Sequence, residues 1–209
     1  HLGRMADADA IAEQVMAGGL DIQSGLARLN AMDINPSVSQ RLQQIVCYGL
    51  ASAMVLCLFP RTGWNDFFTA AALGSLIGIL VQLCERSRHL KDAVEAVAAL
   101  LATLIVYYIA GHLAPLSVQS VIISALIIMM PGLMLTTAIN ELANQQLASG
   151  SARFAGAVTV LLKLTFGTIL AAQLVDLLGW HYLSNGGLPV LPQWMPFVML
   201  VPGALALAV

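Results

Sequence analysis

Residues Ile127 to Phe154 read IIMMPGLMLTTAINELANQQLASGSARF. The stretch begins as hydrocarbon, breaks at Pro131-Gly132, and turns into amides and hydroxyls with one acid and one arginine. Pro131 removes a backbone donor and clashes with the preceding turn, while Gly132 admits unusual backbone angles, so the pair predicts a kink or break. Carbonyls freed inside a membrane must be met by protein groups or by water in a cavity. Discontinuous helices of this kind can build a site, with half-helix N-termini for carboxylates and unwound carbonyls for cations. Past the break, Thr136, Thr137 and Asn140 can share one helical face, Thr136 and Asn140 being an i, i+4 pair. Their hydroxyl and amide groups suit a small zwitterion. The plainer alternative is a Pro-kinked span followed by an ordinary polar loop.

The composition around this stretch is that of a polytopic membrane protein. Of 209 residues, 59% are hydrophobic and 10% charged, which predicts an all-α bundle of membrane helices. A net charge of -2 speaks against a nucleic-acid partner. Cys47, Cys57 and Cys84 lie in or beside apolar runs with no CxxC pair, so packing is preferred over a disulfide framework or zinc site, and no metal or cofactor is expected. GxSxG, HExxH and paired in-membrane carboxylates are missing from the sequence, which argues against an enzyme.

A helix needs roughly 18 to 25 apolar residues to cross the hydrocarbon. Runs of that kind fall near 44–60, 67–84, 93–111, 117–139 and 155–178, with another starting near 193; the first is short for a span. These divide the chain into cytoplasmic amphipathic helices at 1–43, a five-span membrane domain at 44–178, and an outer loop with the next span at 179–209. Basic residues near span ends are retained in the cytoplasm. With the N-terminus inside, Arg4, Arg28, Arg41, Arg86, Arg88, Lys91 and Arg153 all fall there, seven of the nine Lys and Arg. Arg61 alone falls in an outer loop, and Lys163 lies within a span.

No signal peptide leads the polar first forty or so residues, which are expected to stay on the side of synthesis. ADADAIAEQVMAG is helical in composition and closed by Gly18-Gly19. Asp21 can cap a second helix whose Ile22, Leu26, Leu29 and Met32 recur every three to four residues. Such pieces are packing elements in the first instance, with gating or docking as the alternative.

An ionisable side chain inside a bilayer costs a few kcal/mol or more, so each is a functional suspect. Lys163 in AVTVLLKLTFGTILAAQ stands about two and a half turns into its expected span. It could hold a carboxylate or carry a proton; alternatively its stem packs on neighbouring helices while the ammonium reaches the surface or an acid. Asp66 reads as an N-cap of the second span, and Glu95, one turn into the third, as either a proton relay or a surface residue. Asp176 and Gln173 lie toward the far end of the Lys163 span, and His112 and His181 fall in outer loops as solvated residues. Gly74, Ser75 and Gly78 of GSLIG, and Gly167, permit close helix approach in lipid, with a substrate-lining face as the lesser reading.

PGLMLTTAINELANQQLASGSARFAGAVTVLLKLTFG resembles the bacterial threonine/serine exporter family. The matching positions are Pro131, Gly132, Leu133, Ala138, Ile139, Glu141, Ser149, Gly150, Arg153 and Gly167. GWNDFFTAAALGSLIG is similar to that family's second span, and AGGLDIQSGLARLNAMD to its short cytoplasmic helices. Two departures stand out: Glu141 where an Asp is expected, and Lys163 where an apolar or small residue is expected. The resemblance implies export of threonine and serine driven by protons through a bacterial inner membrane, with a split-subunit branch linked to succinate. It also implies a second membrane half, fused or separate, which LPQWMPFVMLVPGALALAV would begin.

The expected partners are therefore a small amino acid or a dicarboxylate, protons, the lipid bilayer and a second half, with a homo-oligomer as a further arrangement. The expected substrate-binding set is Pro131, Gly132, Thr136, Thr137, Asn140, Lys163 and Gly167, with the break facing Lys163 and Gly167. The expected gating and coupling set is Glu95, Glu141, Ser149, Gly150 and Arg153, with ASGSAR as the cytoplasmic turn and Glu141 and Arg153 flanking it. In a dicarboxylate exporter, Lys163 and Arg153 would hold the two carboxylates. A structural subunit with no pathway of its own is a third reading.

Overall fold

The computed structural model describes residues 10–21, 23–26, 28, 38–84, 93–180, 191–192 and 194–208. Half of the second amphipathic helix, Arg4, Arg86, Arg88, Lys91 and the loop 181–190 with His181 lie outside the described residues. Two compact units separate at residues 42 and 43. In the first, a helix over 10–16 ends at Gly18, which takes a φ of +74°. The Gly18 N–H donates to the Val15 carbonyl and the Gly19 N–H to the Gln14 carbonyl, a pairing that closes helix ends where glycine carries the left-handed turn.

The second unit, entered part-way along the first long helix, is built of helices, without strands among the described residues. In chain order they are α1 (Val38–Cys57), α2 (Trp64–Cys84), α3 (Val94–His112), α4 (Val118–Leu126) with a 3₁₀ turn at Ile127–Met129, α5 (Gly132–Ala143), α6 (Leu147–Leu177) and α7 (Met195–Ala208). Three of them, α2, α3 and α6, are long and apolar enough to cross a membrane, and α4 with α5 makes a pair bent by 57° that is apolar enough to be one broken span or a re-entrant loop. α1 falls short because Gln40, Arg41, Gln43 and Gln44 occupy its opening turns.

Polar composition hid the true helix starts. The fifth span was expected from 155, yet α6 begins at Leu147, so ASGSAR is helical and not a turn. The actual turn is Asn144-Gln145-Gln146, where the Gln146 N–H donates to the Glu141 carbonyl and the Gln145 N–H to the Leu142 carbonyl. Gln145 takes the left-handed φ of +61° that this closure requires.

Small residues set the helix crossings. α1 and α2 run antiparallel with backbones in contact: a Cβ at Gly74 would lie 2.6 Å from the Tyr48 carbonyl oxygen and 2.7 Å from Ser52 Cβ. α3 lies along α6, and α4 packs on both α2 and α3. Between them Leu73, Ile77, Ala98, Ala102, Val106, Val121 and Ala125 form the buried core. Alanine at so many of these positions brings backbones close, and in lipid close packing is what holds helices together.

At one end of the bundle Asp66 ties two segments. Its buried carboxylate accepts the Gly63 N–H at 2.7 Å and the Ser117 N–H at 2.7 Å, joining the start of α2 to the start of α4. Asp66 is thus not the N-cap; it stands in the first turn of α2 and reaches back to the cap residue, as the acid of a capping box does.

Candidate functional site

The broken span is where regular backbone fails. Met130 is extended, Pro131 has φ -81° and ψ 51°, and the helices on either side meet at 57°. The Met130 N–H donates to Ile127, the Gly132 N–H turns back to Met130, and helical bonding resumes with Leu135 N–H to Pro131. Pro131 supplies neither an N–H nor a side-chain cap. By the helix-end rule this leaves the carbonyls of Ile128 and Met129 and the N–H groups of Leu133 and Met134 without intrahelical partners. Acceptors and donors therefore adjoin at one break. Gly132 itself is ordinary: a Cβ there would meet nothing within 4 Å, and its φ is not positive. The break comes from Pro131.

A cleft of about 560 Å³ runs from the break between α4 and α6. Gln119, Ile123 and Leu126 line it from α4, Met130 at the break, and Leu161, Thr165 and Thr168 from α6. Among the described residues, its polar side chains are one carboxamide and two hydroxyls.

Lys163 and Gly167 do not face that cleft. The Lys163 ammonium lies 3.5 Å from a carboxylate oxygen of Glu95, in the first turn of α3. A Cβ at Gly167 would collide with the Ala96 carbonyl oxygen and lie 2.9 Å from Ala99 Cβ. Further on, Trp180, just past α6, packs edge-on against Tyr108 at 5.6 Å. These three contacts run in the same order along both helices, so α3 and α6 are parallel. They also fix the level of Lys163. Although it lies roughly 24 Å from the start of α6 at 1.5 Å per residue, it is level with the very beginning of α3. Lys163 is thus level with the first turn of α3, and the first four turns of α6 project past that end of α3.

That projecting half of α6 pairs with α5 as a hairpin. Arg153 Nε lies 2.9 Å from Glu141 Oε1 across it. Gly150 is buried, with Leu142 where its Cβ would be, at 2.8 Å. Ser149 is exposed, its hydroxyl donating to the Gln146 carbonyl at 3.4 Å. On α5 the Thr136 and Thr137 hydroxyls donate to Leu133 at 2.9 and 2.8 Å, and Asn140 is exposed. Oε2 of Glu95, the oxygen that faces the Lys163 ammonium, and Oε2 of Glu141, the oxygen turned away from Arg153, are both buried without a hydrogen bond.

The sequence matches the ThrE family, described as "Putative threonine/serine exporter", over residues 1–175. The chain belongs to the threonine/serine exporter family. An uncharacterized protein of Schizosaccharomyces pombe is 24% identical to it over 199 residues, an alignment covering 92% of this chain and 26% of that protein. The chain thus spans about a quarter of the length of that relative. No solved structure matches it.

Within this exporter-family chain, the positions that carried the resemblance fall into three structural roles. Pro131 makes the break. Gly150 and Gly167 are consumed by helix crossings, and Glu141 and Arg153 pair across the hairpin. Gln119, Thr165 and Thr168 went unnoticed in the sequence, since single polar residues in apolar helices resemble tolerated hydroxyls. The i, i+3 spacing of Thr165 and Thr168 was the available signal.

Proposed function

We propose that this protein is a secondary transporter exporting small hydroxy-amino acids, threonine and serine, through a bacterial cytoplasmic membrane with its N-terminus inside. Family membership supports the substrate class. The observation that supports the site is the 560 Å³ cleft beside the break, with Met130 on its lining. Freed N–H groups suit the amino acid carboxylate and freed carbonyls suit its ammonium, the arrangement that discontinuous helices provide in transporters. The volume lies in the range of small-molecule sites.

Protons couple through the two carboxylates whose buried oxygens lack hydrogen bonds, Glu95 and Glu141. Each is held beside a cation, so protonation releases an ion pair: Lys163 from α3 in one case, Arg153 from α5 in the other. A second membrane half, fused or separate, completes the pathway. The dicarboxylate alternative has less support, because Lys163 and Arg153 are each already opposite an acid.

The test is counterflow with the intact protein in proteoliposomes. Preloaded threonine drives uptake of labelled threonine and serine, an imposed proton gradient accelerates it, and succinate gives none. Succinate counterflow without threonine counterflow would reverse the assignment.

A further inference from the structure

The wall of the cleft opposite the break carries Thr165 and Thr168 on α6, and Gln119 stands on α4. The Thr165 hydroxyl donates to the Leu161 carbonyl at 2.8 Å, and the Thr168 hydroxyl to the Thr165 carbonyl at 2.9 Å. A hydroxyl has one proton and two lone pairs, so with the proton committed to its own helix each threonine offers the cleft acceptors only. The two stand roughly 4.5 Å apart along the helix, about one small-molecule functional group. Gln119 adds a carboxamide able both to donate and to accept. Among the described residues, no Lys or Arg lines this volume.

We infer that Thr165 and Thr168, together with Gln119, form the selectivity wall of the transporter, accepting hydrogen bonds from the cargo's ammonium and side-chain hydroxyl. The inference rests on the exporter reading and deepens it. A cargo with an ammonium and a hydroxyl brings four donors to this wall; a dicarboxylate brings none and finds only the Gln119 amide to greet it. Threonine and serine are favoured over alanine because only they fill the second acceptor. Selection of this kind works by leaving an acceptor unpaired when the wrong cargo enters, and sites built to bond a substrate hydroxyl discriminate strongly.

The experiment is transport by the intact protein in proteoliposomes, comparing threonine, serine, alanine and succinate for the wild type and for Thr165→Val, Thr168→Val, Thr165→Ser and Thr168→Ser. Valine keeps the shape and removes the acceptor; serine keeps the acceptor. The valine variants are expected to lose about tenfold in threonine flux at limiting substrate for each bond removed, with a smaller loss for alanine, while the serine variants stay near wild type. Threonine flux unchanged in both valine variants would overturn the inference. Equal losses in valine and serine variants would also overturn it, by marking the positions as packing. Wild-type protein that moves alanine as well as threonine contradicts the selectivity wall but leaves the exporter reading standing. Wild-type protein that moves neither threonine nor serine removes the exporter reading, and this inference with it.

Discussion

Lys163 of α6 stands 3.5 Å from Glu95 in the first turn of α3, and one turn further on Gly167 lies against the α3 backbone. Charge pair and glycine contact lock two parallel helices in one register. The ion pair sits at the edge of the α3 span, its side chains about one third and one fifth exposed. Removing one partner leaves an ion facing low dielectric, and removing both does not. Lys163→Met and Glu95→Gln should each destabilise the protein, by about 1 to 2 kcal/mol after allowance for solvent screening. The double variant should recover a large part, and a double-mutant cycle on thermal unfolding in detergent measures that coupling.

Gly167 has no room for a side chain. A Cβ would run into the Ala96 carbonyl, which is backbone and cannot swing aside. Gly167→Ala should cost about 1 to 3 kcal/mol, and Gly167→Leu should abolish stable insertion. Gly132→Ala is the contrasting control, since its Cβ would meet open space; unfolding midpoints of the two alanine variants should separate clearly.

Asp66 satisfies two backbone donors with one buried carboxylate. Asp66→Ala strands the Gly63 and Ser117 N–H groups and should cost about 3 kcal/mol. Asp66→Asn keeps one acceptor and should lose about half of that. Hydrogen exchange at Gly63 and Ser117 reports the damage locally: both amides should become fast in the alanine variant.

The turn between α5 and α6 holds a glutamine at a φ of +61°. Glycine adopts that backbone without the steric penalty a Cβ brings, so Gln145→Gly should stabilise the hairpin by about 1 kcal/mol. A raised unfolding midpoint with unchanged transport is the expected readout.

Much of the bundle was legible because apolar runs announce themselves. The cores of α2 and α3, and the Pro131 break, could be read from hydropathy and from one residue's missing donor. The start of α6 could not, because Ser149, Gly150, Ser151 and Arg153 look like a loop until Leu142 is seen packed against Gly150. The level of Lys163 in the bundle is not legible either, because it is set by the pairing with Glu95 in the first turn of α3 and not by its distance from the start of α6. Which face each residue takes is a matter of helix rotation. Composition does not carry it, so Lys163 and Gly167 were placed opposite the break when they face α3.

The central claim is that cargo is held where the fourth span breaks. A structure of the intact protein determined with saturating L-threonine tests it most directly. Threonine is expected in the cleft beside Met130, with its ammonium within reach of Thr165. Threonine bound elsewhere, with the cleft beside Met130 empty, would contradict it.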